Sequence, residues 1–416
     1  MTRSLADWLS WQETLHPRSI DLGLERVTEV LRALDLATPP FKVITVGGTN
    51  GKGSCVAWLT AFLAAAGERV GTFTSPHLAR YNERIAVDGA DADDAALCAA
   101  FEAIDRARGA TSLTYFEFSA LAALHVFRDA RCGFAVLEVG LGGRLDATNA
   151  VDADVAVVVS VGIDHTDWLG PDREAIGFEK AGIYRAGRPA VCADPAPPAS
   201  LVAHAAAIGA QPVQVGRDYR YAVHADGRWD YDGVRAVYRD LPAPCLPGAV
   251  QYGNAAAALA ALDALPGRAP PSHATVVAGL GRARLRARFE RIAARPDVIV
   301  DVTHNPDGAR VLAAQLSADR PTGRTYAVCG MLADKAIAAT LAELDRVVDE
   351  WLLAPLPGPR GARAEELAAR AAEAGVTGRV TMCDSVASAL ARARALASPQ
   401  DRIIVFGSFL TAAAAL

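Results

Sequence analysis

Lysine is nearly absent from this sequence of 416 residues. Of its 42 lysine and arginine residues, only Lys42, Lys52, Lys180 and Lys335 are lysine. Arginine cannot provide a neutral primary amine or a compact charge on a flexible stem. Each remaining lysine is therefore a candidate for chemistry that arginine cannot perform.

Several sequence features that mark other classes of protein are also missing. The seven cysteines are odd in number and never spaced as CxxC, which argues against a disulfide framework or a zinc site and favours a reducing compartment. The N-terminal residues contain no apolar signal core, and no stretch approaches the roughly 18 apolar residues of a membrane-spanning helix. A net charge of -5 gives no general basic field for nucleic acid or anionic membrane. These absences predict a cytoplasmic protein with no nucleic-acid or membrane partner.

The composition that remains is that of a folded globular protein. Hydrophobic residues make up 51% and charged residues 21% of the chain, which argues against disorder. At about 150 residues per domain, the length predicts two or three domains.

Apolar runs alternate with helical patterns in the first part of the chain. Buried parallel strands are predicted at 42–47, 69–74, 134–139, 153–161 and 188–192. Helices are predicted at 54–66, 116–130, 172–182 and 254–265. This alternation predicts an α/β domain of P-loop type with a mostly parallel sheet. Two Asp-Gly turns within 217–240 add a hairpin or meander.

A basic stretch at 279–296 marks the predicted domain boundary. Beyond it, apolar runs predict strands at 297–302, 324–329, 351–354, 378–382 and 402–406. Ala-rich helices separate these runs. We therefore predict one domain over residues 1–284 and a smaller, Rossmann-like α/β domain over 285–416.

The strongest local motif is VITVGGTNGKGS at residues 43–54. A strand enters a Gly-rich loop, which leads through Lys52 into a helix. Backbone N–H groups of such a loop bind phosphate, and the helix N-terminus adds positive potential. The literal GxxxxGK[ST] pattern is not met, because Gly53 separates Lys52 from Ser54. The alternative is a Gly-rich turn that carries a solvated lysine.

Polar residues follow two more of the predicted strands. Glu138 ends one strand, and His165 follows another, flanked by Asp164 and Asp167. Ligands of open α/β sheets bind at the carboxyl ends of strands, and a carboxylate there suits Mg²⁺. The alternatives are a capping glutamate and a structural histidine.

Other candidates are ambiguous when taken alone. Lys180, on a predicted helix, could be a surface lysine with a helical ion-pair partner. Asp301 and His304 leave a strand where Asn305-Pro306 also starts a helix. Asn254 could be an N-cap, and the Ser75-Pro76 turn could simply end a strand.

Ten ordered motifs together make this chain resemble one family. They are IDLGLERV (20–27), GTNGKGS (48–54), SPHLARYNERI (75–85), LTYFEFSALAAL (113–124), LEVGLGGRLDATN (137–149), DHTDWLG (164–170), EKAGIYR (179–185), DVTHNP (301–306), GMLADK (330–335) and GSF (407–409). Over essentially its whole length the chain resembles the folylpolyglutamate synthase/dihydrofolate synthase family of the ATP-dependent Mur ligase superfamily.

The resemblance implies a glutamate ligase that forms an acyl phosphate from ATP. It implies an ATP- and pterin/folate-binding domain over 1–284 and a glutamate-ligase domain over 285–416. Carried onto this sequence, the ATP-binding residues are Thr49, Asn50, Gly51, Lys52, Gly53, Ser54, Asn254, Arg288 and Asp301. The implied metal ligands, for two Mg²⁺ ions, are Ser75, Glu138, His165 and Lys180, the last carrying a CO₂-derived carbamate. The implied catalytic residues are Lys52, Glu138, His165, carbamylated Lys180 and His304.

The resemblance also implies the substrate pockets. Dihydropteroate or folate would contact Ile20, Asp21, Leu22, Thr114, Tyr115, Phe116, Glu117, Leu145, Asp146 and Ala147. L-Glutamate would contact His304 and Ser408. The implied partners are dihydropteroate, reduced folates, L-glutamate and ATP, and the implied state is a monomer.

The chain departs from the family pattern at two places. Residues 286–289 read RARF where many relatives have Pro-Gly-Arg-Phe, and Leu410 stands where relatives often carry histidine. Three alternatives stay open: a muramyl-peptide-type ligase, a small-molecule kinase with the same phosphate loop, and a nucleotide-binding module without catalysis. The separate N-terminal UDP-binding domain of muramyl ligases is not expected, because the phosphate loop begins by residue 48.

Overall fold

The computed structural model describes residues 3–416. They form two compact units, one of residues up to Cys245 together with Gln251–Arg284, the other of Leu246–Val250 together with Leu285–Leu416. The main division falls between Arg284 and Leu285. The short segment Leu246–Val250, which the sequence analysis placed in the first domain, packs with the second unit.

The first unit contains two sheets. Their strands are β1 (Lys42–Gly47), β2 (Val70–Phe73), β3 (Ile85–Val87), β4 (Ala90–Asp91), β5 (Phe134–Glu138), β6 (Val155–Val158), β7 (Pro189–Cys192), β8 (Gln211–Gln214), β9 (Arg220–Val223), β10 (Trp229–Asp232) and β11 (Val237–Leu241). The helices are α1 (Leu5–Leu15), α2 (Glu25–Ala33), α3 (Lys52–Ala65), α4 (Asp94–Arg108), α5 (Tyr115–Asp129), α6 (Thr166–Leu169), α7 (Arg173–Ala181), α8 (Ala199–Ala207), α9 (Val250–Ala264) and α10 (His273–Leu280).

The large sheet of the first unit positions the site. Its strand order is β4-β3-β2-β5-β1-β6-β7-β8, and β2, β5, β1, β6, β7 and β8 run parallel. The five predicted strands are its buried centre. Because parallel strands end at one edge, the segments after β1, β5 and β6 emerge beside one another. The predicted meander is the separate antiparallel sheet β9-β10-β11.

The second unit is built around one six-stranded sheet. Its strands are β12 (Glu290–Ala294), β13 (Asp297–Val300), β14 (Thr325–Cys329), β15 (Glu350–Leu353), β16 (Arg379–Met382) and β17 (Arg402–Phe406). Its helices are α11 (Pro306–Ala318), α12 (Ile337–Leu344), α13 (Ala364–Glu373), α14 (Val386–Leu396) and α15 (Phe409–Ala413). The order is β12-β13-β17-β14-β15-β16, parallel except for the edge strand β12.

Local sequence explains several helix starts. Thr114 caps α5 by accepting a hydrogen bond from the N–H of Glu117, whose carboxylate accepts the N–H of Thr114 in return. Asn305 caps α11, and Pro306 occupies its first turn. Short 3₁₀ helices cover Tyr81–Arg84, Ala147–Ala150 and Asp345–Val347. No helix within residues 3–416 has both the length and the apolar character to cross a membrane.

Candidate active site

The loop between β1 and α3 is shaped to receive an anion. Gly48 and Gly51 adopt φ values of 143° and 88°, which strongly favour glycine. A Cβ on Gly51 would lie 2.9 Å from both Asn254 Oδ1 and Val159 Cγ1. Gly51 is the N-cap of α3 and makes no side-chain cap, so the first N–H groups of α3 have no intrahelical acceptor. A helix N-terminus of this kind binds phosphate.

The segment that follows β6 holds this loop in shape. The N–H of Thr49 donates to the carbonyl of Ser160 at 2.9 Å, and its hydroxyl bonds both the carbonyl and the N–H of Gly162. The Ser160 hydroxyl donates to the carbonyl of Asn50 at 2.9 Å and accepts its N–H at 3.0 Å. Thr49 and Asn50 are thus locked against the neighbouring strand end.

The Lys52 ammonium lies on the loop itself. Its Nζ donates to the carbonyls of Gly48 at 3.0 Å and Thr49 at 3.2 Å. These bonds hold a positive charge beside the exposed backbone N–H groups. A compact ammonium suits this position better than a guanidinium fork.

A buried amide network lies beneath the loop. Gln251 Nε2 donates to the Ser54 hydroxyl at 3.3 Å, while its Oε1 accepts Trp58 Nε1 at 3.1 Å and Asn254 Nδ2 at 3.3 Å. The interpretation of Asn254 as an N-cap is wrong, because α9 begins at Val250 and encloses it. With the correct helix start, Gln251 lies one turn before Asn254 on the same face, although it was not among the predicted site residues.

Glu138 and Ser75 meet at the carboxyl edge of the sheet. Glu138 ends β5 opposite Val46 of β1, and Ser75 lies two residues after β2. The N–H of Ser75 donates to Glu138 Oε2 at 3.4 Å. The side chain of Glu138 is buried, with 6% of the residue exposed. The buried carboxylate supplies an oxygen donor of the kind that Mg²⁺ prefers, and Ser75 brings a hydroxyl-bearing residue to the same edge.

His165 and Lys180 lie in the segment that follows β6, the strand on the other side of β1. His165 adopts the left-handed conformation, φ 54°, at the start of α6, and its N–H donates to Asp164 Oδ1 at 2.8 Å. Lys180 on α7 is only 4% exposed. Burial, aided by the positive Lys52, lowers the pKa of Lys180 to about 7 against the opposing effect of Asp164 and Asp146. The alternative of an ordinary surface lysine is therefore wrong.

No group of three or more His, Cys, Asp or Glu side chains within residues 3–416 is placed to hold a metal ion. The predicted ligand set contains only two residues of those types, Glu138 and His165, because its other members are Ser75 and Lys180. The set suits Mg²⁺ if the serine hydroxyl and an oxygen-bearing modification of Lys180 complete it.

The three predicted pterin segments lie together in the first unit. The guanidinium of Arg26 bonds both Asp21 and Glu117, which joins residues 20–22 to the start of α5. A Cβ on Gly140 would lie 2.6 Å from Phe116 Cζ, so the loop that contains Leu145, Asp146 and Ala147 packs against α5. Arg26 was not among the predicted site residues.

Asp146 shapes that loop from within. Its Oδ2 accepts the N–H groups of Gly140 and Leu141 at 3.0 and 2.9 Å. Its Oδ1 accepts the N–H and the hydroxyl of Thr148 at 3.0 and 2.7 Å. Burial raises the pKa of Asp146, although these hydrogen bonds oppose the shift. The carboxylate therefore has a structural role, whatever else it contacts.

The predicted residues of the second unit follow two parallel strands. Asp301, after β13, accepts the N–H of Phe289 at 2.8 Å and of Thr303 at 2.8 Å. His304 Nδ1 bonds the carbonyl of Val302 at 2.9 Å. These bonds fix the turn from β13 into α11.

Ser408 and Arg288 complete this set. Ser408, after β17, caps α15, and the Arg288 guanidinium lies 5.3 Å from the ring centre of Phe409. The RARF departure keeps a turn: Ala287 and Phe289, on either side of Arg288, adopt φ values of 54° and 49°. Two left-handed residues thus stand where many relatives have Pro-Gly-Arg-Phe.

Comparisons with known proteins identify the family of the chain. The family model described as Mur ligase, glutamate ligase domain, matches residues 287–409. The dihydrofolate synthase/folylpolyglutamate synthase of Escherichia coli K12 is 47% identical over 409 residues, covering 98% of this chain and 94% of that protein. The enzyme of that name from Mycobacterium tuberculosis is 32% identical and covers 97% and 91%.

Solved structures give the same result. E. coli FolC in complex with DHPP and ADP matches with a TM-score of 0.93 at 47% identity, covering 99% of this chain and 96% of that one. A bifunctional folylpolyglutamate synthase/dihydrofolate synthase with Mn, AMPPNP and L-glutamate bound matches with a TM-score of 0.91 at 46% identity, covering 99% and 97%.

The two α/β units, the phosphate loop and the glutamate ligase domain define an ATP-dependent ligase of the Mur ligase type. Within that class, the chain belongs to the dihydrofolate synthase/folylpolyglutamate synthase family. The predicted fold class, family and ligase activity are thereby confirmed.

Proposed function

We propose that this chain activates the carboxylate of dihydropteroate, and the γ-carboxylate of reduced folates, for ligation to L-glutamate, at the carboxyl edge of its large sheet. The observation that carries the assignment is that the phosphate loop and the Ser75–Glu138 pair follow neighbouring parallel strands, with Lys180 buried near enough to Lys52 for that charge to act on it. The relative with Mn, AMPPNP and L-glutamate bound supports a nucleotide, a divalent metal and L-glutamate as ligands of this chain.

The reaction proceeds in two displacements. A substrate carboxylate oxygen attacks the γ-phosphorus of ATP, ADP leaves, and an acyl phosphate forms. The amine of L-glutamate then attacks the acyl carbon, phosphate leaves, and the nitrogen loses its proton to give an amide. Phosphoryl transfer requires positioning and charge neutralisation more than covalent participation by the protein.

The chain's own residues perform that positioning. The N–H groups of residues 51–54 and the Lys52 ammonium hold the ATP phosphates, while Thr49 and Asn50 shape the loop through their bonds to Ser160. Asn254, adjacent to Gly51, borders the nucleotide. Ser75, Glu138 and His165 would hold Mg²⁺, which neutralises charge on the phosphates when bound. In the second unit, Arg288 and Asp301 are assigned to the nucleotide, and His304 and Ser408 to L-glutamate.

We assign to Lys180 a covalent modification, a carbamate on its side-chain nitrogen. Its neutral amine adds to CO₂, a C–N bond forms, and a proton is lost to solvent, which leaves an anionic carbamate. Burial favours the neutral amine that this reaction needs. The carbamate would provide an oxygen ligand for a second Mg²⁺, which arginine could not do.

The pterin pocket is assigned to segments 20–22, 114–117 and 145–147. The ring of Phe116 lies 5.7 Å from that of Phe73, centre to centre, and α2 and α5 both contact the 3₁₀ helix Ala147–Ala150. An apolar wall with buried polar groups at its edge suits a flat heterocycle with hydrogen-bonding edges.

The test is release of ADP and phosphate from Mg-ATP and dihydropteroate, with and without L-glutamate. We expect both products to require L-glutamate, whereas a kinase would release ADP without it and retain the phosphoryl group on its product. Lys180→Met should lower kcat by about 100-fold or more, since loss of one pre-organised charged group has effects of that size. The matched control is Lys42→Met, which changes a half-exposed lysine paired with Asp154 and should stay near wild type.

Isotope-labelled bicarbonate provides a second readout that does not depend on turnover. Carbon NMR of the labelled protein should show a carbamate carbonyl that Lys180→Met lacks and Lys42→Met retains. Equal activity of the two variants, or a labelled carbonyl that survives in Lys180→Met, would contradict the assignment of Lys180.

A further inference from the structure

Arg26 on α2 connects two segments that are distant in sequence. Its Nε and Nη2 donate to Glu117 Oε1 at 3.1 and 2.9 Å. Its Nη1 lies 2.8 Å from Asp21 Oδ2, and its Nη2 also donates to the backbone carbonyl of Asp21 at 2.6 Å. Three of its five N–H donors are therefore hydrogen-bonded within the protein, and the Nη1 contact adds an ion pair with Asp21.

Both partners of Arg26 need this contact. Glu117 is 3% exposed, and a buried carboxylate is costly unless it is paired and hydrogen-bonded. Its Oε2 also accepts the N–H of Thr114 at 2.7 Å, so the same carboxylate fixes the first turn of α5. Arg26 thereby holds the start of α5 in place.

Asp21 lies in a stretch that no helix or strand supports. Residues 16–24 contain neither element, so side-chain bonds must set their conformation. Asp21 also lies 3.5 Å from His16 Nε2 and 3.4 Å from Arg18 Nη1. Of these three partners, Arg26 is the one that also bonds the backbone carbonyl of Asp21 and the carboxylate of Glu117.

We infer that Arg26 is a positioning residue of the pterin pocket, fixing residues 20–22 against residues 114–117 without contacting substrate itself. This inference rests on the pocket assigned in the proposed function. The planar guanidinium bonds two carboxylates and a carbonyl at once, whereas a lysine ammonium has no such fork. The loss of Arg26 should therefore act on substrate affinity more than on the chemical step.

The test compares Arg26→Met and Arg26→Lys with wild type, measuring kcat and separate KM values for dihydropteroate and ATP. The matched control is Arg268→Met. Arg268 pairs with Glu68 and stacks on Phe134 at the start of β5, hence at the amino edge of the sheet, opposite the site. Thermal unfolding of each variant checks that it is folded.

Arg26→Met should raise the dihydropteroate KM about 10-fold or more, since small misplacements of binding groups have effects of that size or larger. The ATP KM should stay within about 2-fold, because the phosphate loop does not depend on this contact. Arg26→Lys should lie between Arg26→Met and wild type, because it keeps the charge and loses the fork. Arg268→Met should leave both KM values near wild type.

Two results would overturn the inference: an unchanged dihydropteroate KM in Arg26→Met, or equal increases in both KM values, which a general loss of structure would produce. Leu145→Asp tests the pocket separately, since a raised KM there with none in Arg26→Met would keep the pocket and refute the role of Arg26. If wild type makes no dihydrofolate, the dihydropteroate activity of the proposed function fails. The same KM comparison with tetrahydrofolate, which also carries a pterin ring, then decides the role of Arg26.

Discussion

Replacing Lys180 with methionine should change how the stability of the folded chain depends on pH. Burial lowers the pKa of Lys180 from its ordinary value of 10.5 to about 7. Between those two values the unfolded chain carries a proton on this lysine that the folded chain lacks. The free energy of unfolding contributed by Lys180 therefore rises as pH rises through that interval.

The size of the effect follows from the pKa shift. Each pH unit inside the interval is worth up to about 1.4 kcal/mol. Between pH ~7 and pH ~9, the wild-type free energy of unfolding should therefore rise by about 2 kcal/mol relative to Lys180→Met. Methionine has similar length and no titratable group. Subtracting the free energy of unfolding of Lys180→Met from that of wild type therefore removes the pH dependence that the two proteins share.

Urea unfolding of both proteins in CO₂-free buffer without nucleotide or metal measures this difference. Exclusion of CO₂ keeps the lysine unmodified, so that only proton binding contributes. A stability difference that stays constant between the two pH values would refute the buried, largely neutral lysine. A constant difference would mean that the folded protein keeps the ammonium, because both states would then carry the same proton throughout this pH interval.

Two further substitutions test the geometry of the loops. Gly51→Ala should weaken ADP binding about 10-fold or more, because a Cβ would lie 2.9 Å from Asn254 Oδ1 at φ 88°. The control is Gly67→Ala, at φ 82° with open space around its Cβ. Equal ADP affinity in both variants would contradict the role of the loop between β1 and α3 in binding phosphate. Asp146→Ala should lower the free energy of unfolding by about 2–4 kcal/mol, because it leaves buried N–H groups without an acceptor. Asp152→Ala, which removes a largely exposed carboxylate, should cost less than about 1 kcal/mol, and equal losses would argue against the loop role of Asp146.

The buried strands were predictable because their physical signal is local. The apolar run at 42–47 is β1, and the run at 134–139 contains all of β5. Strands covered on both faces must be apolar nearly throughout. The edge strand β12 was missed, since it begins with two charged residues, runs antiparallel and is only partly buried. Helix α4 was also missed, although its buried residues, at 97, 100, 101 and 104, follow helical spacing.

The residues of the candidate site likewise include some that were predictable from the sequence and some that were not. Lys52, Glu138 and His165 were predicted because each follows a recognisable strand, and parallel strands end at one edge. Arg26 and Gln251 were not, because their partners lie 91 and 197 positions away. A salt bridge or amide network of that range leaves no periodic trace in the sequence. The structural role of Asp146 was hidden for another reason: a loop carboxylate looks the same whether it bonds a ligand or its own backbone.

The central claim is that one chain ligates L-glutamate to both dihydropteroate and reduced folate. The most direct measurement supplies Mg-ATP and L-glutamate with dihydropteroate in one tube and tetrahydrofolate in another, and identifies the products by mass. We expect ADP, phosphate and the glutamyl amide in both tubes, with no phosphate when L-glutamate is omitted. Phosphate release that is the same with and without L-glutamate, or an amide from only one of the two acceptors, would contradict the claim.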